Sequence, residues 1–156
     1  MNLATIIDPH PGEATALISR GRETDYDTLR TQVAALRGAL VEMGLEPGER
    51  LAIIAGNNWY FVVSYLAALG AGLVAVPLNP TNPAVAMAHE LSESGAVAIV
   101  ATPTARAALR EIDWSTLPDV RTFIGAGFEP GPLGVDIDST GLVYVIQGDS
   151  VVVYDL

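Results

Sequence analysis

Residues 51–80 read LAIIAGNNWYFVVSYLAALGAGLVAVPLNP. The order of apolar runs, asparagines and glycines in this stretch decides the fold class. Leu51 to Ala55 is a short, wholly apolar run, as expected of a strand covered on both faces of a sheet. Asn57 or Asn58 can cap a helix over Trp59 to Leu69, which is apolar nearly all round and therefore belongs in a core. Leu73 to Val76 predicts a second buried strand. A strand, a helix of ten or more residues and another strand make a crossover unit, in which the two strands run parallel in one sheet.

The flanking sequence extends the pattern. Upstream, Ala14 to Ile18 and Glu23 to Tyr26 flank the tight Ser19-Arg20-Gly21-Arg22 and read as an entry hairpin. Asp27 or a neighbour then caps a helix. Its apolar stripe is Tyr26, Leu29, Val33, Leu36, Leu40 and Met43, with Arg30, Gln32 and Arg37 largely off it, and Gly44 suits a left-handed C-terminal cap. Downstream, Asn82 and Pro83 supply a cap and a first-turn proline for a helix to about Ser94, ended by Gly95. Val97 to Ala101 and Val120 to Ile124 read as strands, and Thr104 opens a helix between them. The predicted fold is α/β, doubly wound, with a mostly parallel sheet and helices on both faces. After the Gly- and Pro-rich residues 125–134, Leu142 to Ile146 and Val151 to Tyr154 flank Gly148-Asp149 and predict a C-terminal β-hairpin.

Composition narrows the function classes. Half of the 156 residues are hydrophobic and 17% charged, which excludes a disordered chain. Eight Arg, no Lys and eighteen acids give a net charge of −10, a field that repels nucleic-acid backbones and anionic lipid surfaces. There is no cysteine, hence no disulfide framework and no thiolate chemistry, which fits a cytoplasmic protein. Residues 59–76 carry no charge, but Gly70, Gly72 and Pro77 break that run, and a buried helix followed by a strand explains it better than a membrane span.

Four ordered segments carry a resemblance: Thr24-Asp25-Tyr26 at a helix start, Leu45-Glu46-Pro47-Gly48-Glu49-Arg50 before a strand, Asn57-Asn58, and Ala71 to Pro80. Together they make residues 16–100 resemble the amino-terminal part of the AMP-forming acyl- and aryl-CoA ligases, the fatty-acid-CoA ligase superfamily. For the complete enzyme, the resemblance implies ATP, Mg and CoA, an acyl-adenylate intermediate and an acyl-CoA product. It also implies that Asn57, Asn58 and Trp59 stand near the acyl pocket, and that Pro77 and Asn79 shape the edge of the substrate cleft. The alternative reading of the first three is local, with Asn capping and Trp packing.

Other motifs carry less. Asp136-Ile137-Asp138-Ser139-Thr140 imitates an aspartyl-phosphate motif, but it lacks a preceding apolar strand and a downstream Lys. Read as a calcium loop, the same residues put Gln147 where a bidentate Glu belongs. Neither Gly70-Ala71-Gly72 nor Gly125-Ala126-Gly127 opens a helix after a strand, so a dinucleotide loop is not supported. His10 and His89 are the only histidines, and they read as surface or capping groups rather than a base or a metal pair.

The family's phosphate loop is rich in Ser, Thr and Gly and ends in Pro-Lys-Gly. Here Gln147-Gly148-Asp149-Ser150 stands after the strand, and Asp149 would set a negative charge against phosphates. The expectation is therefore two segments: residues 1–134 as a ligase-like amino-terminal subdomain, and 135–156 as a divergent hairpin, truncated before a phosphate loop. Such a chain, inactive alone, would bind no cofactor and hold no catalytic residue or metal. Its partner would be a second copy or a complementary ligase fragment. The alternative is a non-catalytic domain that binds an acyl ligand or self-associates, and a flavodoxin-like module is the runner-up fold.

Overall fold

The computed structural model describes residues 2–126, 143–147 and 150–154. After a short 3-10 turn (Leu3–Ile7), β1 (Thr15–Ser19) and β2 (Arg22–Asp25) pair antiparallel as a separate two-stranded sheet. Their connection holds Arg20 at φ 53° and Gly21 at φ 80°, the left-handed pair that matches strand twist in a two-residue turn. Asp25 opens α1 (Tyr26–Glu42) by accepting the Thr28 N–H at 2.7 Å, and these bonds to Thr28 hold its carboxyl below the usual range. Gly44, at φ 75°, closes α1 as expected, with its N–H on Val41 O and the Leu45 N–H on Leu40 O.

Strands and helices then alternate: β3 (Arg50–Ile54), α2 (Trp59–Gly70), β4 (Val74–Leu78), α3 (Ala84–Ser94), β5 (Ala96–Ala101), α4 (Arg106–Glu111) and β6 (Thr122–Ala126). Four of these strands lie in the order β4-β3-β5-β6, and all three pairings are parallel. Two further segments extend the sheet: β7 (Val143–Gln147) runs parallel to β6, and β8 (Ser150–Tyr154) antiparallel to β7. Residues 148–149 between them, the 134/135 boundary and the Asp136 to Thr140 motif lie outside the described residues.

The two-sided burial of β3 builds both cores. Leu51 and Ile53 face a cluster with Leu36, Leu40, Val63 and Ala67 of α1 and α2. Ala52 and Ile54 face Met87, Leu91, Leu109 and Phe123, from α3, α4 and β6. The alternation follows from the period of two along a strand, and it makes the sheet doubly wound, as expected. From β3 the chain first steps outward to β4 with α2 on one face. It then winds back through β5 to β6 with α3 and α4 on the other. No residue of α2 is exposed, in keeping with its apolar circumference. No helix among the described residues is long and apolar enough to cross a membrane.

Two local expectations are corrected. The second buried strand is in fact the edge of the described sheet: among the described strands β4 has β3 on one side only, and Val74 is 47% exposed. An apolar run reports a strand but not how many neighbours it has. Pro77, with no N–H for a ladder, is tolerated at such an edge. The cap of α3 is shifted by one residue, with Pro83 at the N-cap and no side chain capping. Asn82 instead donates its amide to both carboxylate oxygens of Glu90, at 2.9 and 3.0 Å.

Glu49 lies beside the amino ends of β3 and β6. Arg121 Nη2 donates to its Oε2 at 2.6 Å and the Glu46 N–H at 2.9 Å. These bonds, the Arg121 one foremost, hold the Glu49 carboxyl below its ordinary value of 4.5. With the folded-state value the lower one, its stabilisation is complete above 4.5 and is lost as pH falls through the folded value. Glu49→Gln should therefore flatten the acid limb of the stability profile. Because the pair is partly exposed, it should cost no more than about 1 kcal/mol at neutral pH. Urea midpoints measured from pH 3 to 7 check this, and an acid limb of unchanged slope would contradict it.

Gly95 ends α3 at φ 60°, and an added Cβ would stand 2.6 Å from Arg50 Nη2, whose Nε donates to Ser94 O at 3.1 Å. The guanidinium can move, but the left-handed backbone cannot accept a β-branched side chain without strain. Gly95→Val should lower stability by about 1 kcal/mol or more. An unchanged urea midpoint would show that this backbone is not required.

Candidate functional site

The direction of winding reverses at β3, and in such sheets ligands bind beyond the carboxyl ends of the strands at the reversal. Those ends carry the loop from Ala55 to Asn58 after β3, the turn after β4, and Thr102 after β5. Thr102 is buried, and its N–H donates to Ile54 O at 3.1 Å, tying the β5 loop to the end of β3.

Asn58 is the N-cap of α2, its Oδ1 accepting the Phe61 N–H at 3.1 Å. The first N–H of the helix, from Trp59, is taken at 3.2 Å by the Ser19 hydroxyl of the hairpin. A helix start leaves its N–H groups unpaired within the helix, so this bond both completes the cap and fixes the hairpin against α2. The Trp59 ring is 6% exposed, and its Nε1 donates to Gln32 Oε1 at 2.8 Å. Arg22 lies over the same ring, 5.2 Å from its centroid.

Between hairpin and helix runs an open groove of about 320 Å³. Leu17, Ile18, Ser19 and Arg20 form one side, and Asn57, Asn58 and Trp59 stand opposite, above Phe61 and Val62. Three of the five expected site residues are thus brought together. Pro77 and Asn79 are not part of this groove. They belong to the end of β4, whose Leu78 is in register with Ile54 of β3. Asn79 spends its Oδ1 on its own turn, accepting from the N–H and the hydroxyl of Thr81 at 3.0 and 2.9 Å. Asn57 is exposed, while Asn58 and Trp59 also fill the local capping and packing roles.

Ser19, Arg20, Arg22 and Gln32 were not legible as part of this site. The Ser-Arg-Gly-Arg spacing announces a hairpin but not the helix it leans on. Gln32, which the stripe of α1 leaves largely aside, is only 3% exposed because it receives the indole N–H. Of the histidines, His10 stacks on Tyr26 with ring centroids 4.4 Å apart, and His89 is exposed on α3. Among the described residues no group of three or more His, Asp or Glu side chains is placed to hold a metal ion.

The family model described as AMP-binding enzyme matches residues 5–131. The chain belongs to that family. A dioxo-octahydroindenyl-propanoyl:CoA ligase of Mycobacterium tuberculosis is 36% identical over 109 residues, covering 69% of this chain and 22% of that protein. A feruloyl-CoA synthase of Amycolatopsis sp is 30% identical over 146 residues, covering 92% of this chain and 29% of its own length. The anthranilate CoA ligase AuaEII, solved in complex with anthranoyl-AMP, superposes with a TM-score of 0.77 over 92% of this chain and 32% of that one, at 17% identity. The two curated relatives are acid-CoA ligases of the same family, and the chain spans less than a third of either.

The Trp59–Gln32 bond gives a direct stability test. Gln32→Leu keeps the bulk but leaves a buried indole N–H without its acceptor, at a cost of about 1–3 kcal/mol. The urea midpoint should fall accordingly, whereas an unchanged midpoint would mean that the indole is satisfied without Gln32.

Proposed function

We propose that this chain supplies the amino-terminal wall of an acid-CoA ligase and does not complete adenylation by itself. Asn57, Asn58, Trp59, Pro77 and Asn79 are the residues read as facing the carboxylic acid. The observation that carries the proposal is the family match over residues 5–131, laid on a sheet whose strand ends at the reversal point bear these residues.

Their chemistry suits shaping and orienting a substrate. Three asparagine amides, an indole and a proline ring offer hydrogen bonds and apolar surface, and none changes its proton near neutral pH. The adenylation step needs a cradle for phosphate charge, built from backbone N–H groups, hydroxyls and cations. The sequence has no Lys, and Asp149 stands in the segment that aligns with the loop by resemblance. Relatives named for feruloyl and long-chain fatty acids support a carboxylic acid with a sizeable apolar body as the substrate class.

Carboxylate-dependent exchange of labelled pyrophosphate into ATP is the test. The purified chain should give no exchange above a heat-killed control with ferulate, benzoate or fatty acids. Exchange with any of these acids would overturn the claim that the chain cannot adenylate alone.

A further inference from the structure

The residues before the hairpin are attached differently from the rest of the chain. Of residues 2–12 only Ile7 is buried, in the cluster that α1 and α2 share. The stretch is held instead by side-chain bonds at two points. Arg30 of α1 donates from Nε and Nη2 to Ile7 O at 3.2 and 2.9 Å, and from Nη2 to Asp8 O at 3.2 Å and to His10 O. Its Nη1 pairs with Asp27 at 2.7 Å, and a Cβ on Gly12 would collide with that carboxylate, so a glycine passes there. At the other end Asn2 Nδ2 donates to Leu69 O, in the last turn of α2, at 2.7 Å. Its Oδ1 accepts the Ala4 N–H at 3.0 Å and caps the 3-10 turn. Packing beneath the stretch is incomplete: an open cleft of about 190 Å³ lies between Thr5 and Ile7 on one side and Ala34, Arg37 and Gly70 on the other.

We infer that residues 2–12 form a strap that docks and undocks as one unit across the seam of α1 and α2, with Arg30 as its latch. A single buried side chain gives little hydrophobic attachment, and segments of low burial with exposed backbone bonds open without global unfolding. One guanidinium serving three carbonyls ties residues 7–10 together, because a planar fork meets all three only when that stretch of backbone is in place. The 3-10 turn carries the constraint on to Asn2, through Thr5 N–H on Asn2 O and Asp8 N–H on Thr5 O, both at 3.1 Å. Undocking withdraws Ile7 and opens the cleft onto Val33, while the two-sided burial of β3 by the other helix residues stays in place. The inference uses no residue of the proposed acid-facing surface.

Hydrogen exchange of the full chain, read by mass spectrometry where reclosing outpaces exchange, tests it. Residues 3–12 should share one opening equilibrium and be less protected than β3 and β5. Arg30→Lys keeps a charge for Asp27 without the fork, and Asn2→Asp keeps the cap of the turn without the donor to Leu69 O. Each should speed exchange by about tenfold or more over residues 3–8 and over His10 and Gly12 alike, with β3 and β5 unchanged. The chain has no cysteine, so Val33→Cys supplies a single thiol beneath the strap, and its labelling should accelerate by the same factor when Arg30→Lys is added. Asn2→Asp speeding only residues 3–5 would show fraying from the terminus and overturn the single unit. Unchanged strap exchange or thiol labelling in Arg30→Lys would overturn the latch. Equal acceleration of β5 would show that the stretch belongs to the global core, and would overturn the strap altogether.

Discussion

Burial of β3 on both faces is the constraint on which the rest of the structure depends. Its side chains from Leu51 to Ile54 are fully buried, alternately against α1 and α2 and against α3 and α4. Such a strand can exist only if helices cover both sides, which crossover connections achieve by winding in opposite directions from it. That reversal puts the end of β3 at a crevice, and Asn58 and Trp59 follow directly. The site is thus a consequence of the core.

The hairpin of β1 and β2 is joined to this core by few but specific bonds. The Ser19 hydroxyl takes the first N–H of α2, Arg22 lies over Trp59, and Trp59 reaches through to Gln32 of α1. At the other end of α1's first turns, Arg30 donates to the carbonyls of Ile7, Asp8 and His10 and pairs with Asp27 at 2.7 Å. Arginine, the only charged base in an acidic chain, is used at such junctions because one planar group can serve several acceptors at once. Arg20, Arg37 and Arg110 have exposed positions outside that pattern.

The sheet, the order of its elements and the glycine that ends α3 were legible in the sequence, because each is a local or periodic signal: an apolar run, a cap, a residue needing positive φ. The exposure of β4 was not, since an edge strand and a central one can carry the same four apolar residues. The role of Gln32 was hidden for another reason: its partner Trp59 is 27 positions away, and a helical period cannot announce a distant indole. Likewise Asn57, Asn58 and Trp59 could be named from resemblance, but their meeting with Arg20 depends on how the hairpin leans. Pro77 and Asn79 could be placed near the same sheet end, yet the fold gives them a turn of their own, closed by Thr81.

The central claim is that the carboxyl end of β3 and the start of α2 form the acid-facing surface of this chain. Amide chemical-shift mapping of the isotopically labelled chain during titration with octanoate tests it most directly. The account predicts saturable shifts concentrated at residues 17–20 and 57–62, with little change along α4 or at the Glu49 and Arg121 end of the sheet. Shifts centred on α4 or on that opposite end, with residues 57–62 unmoved, would contradict it.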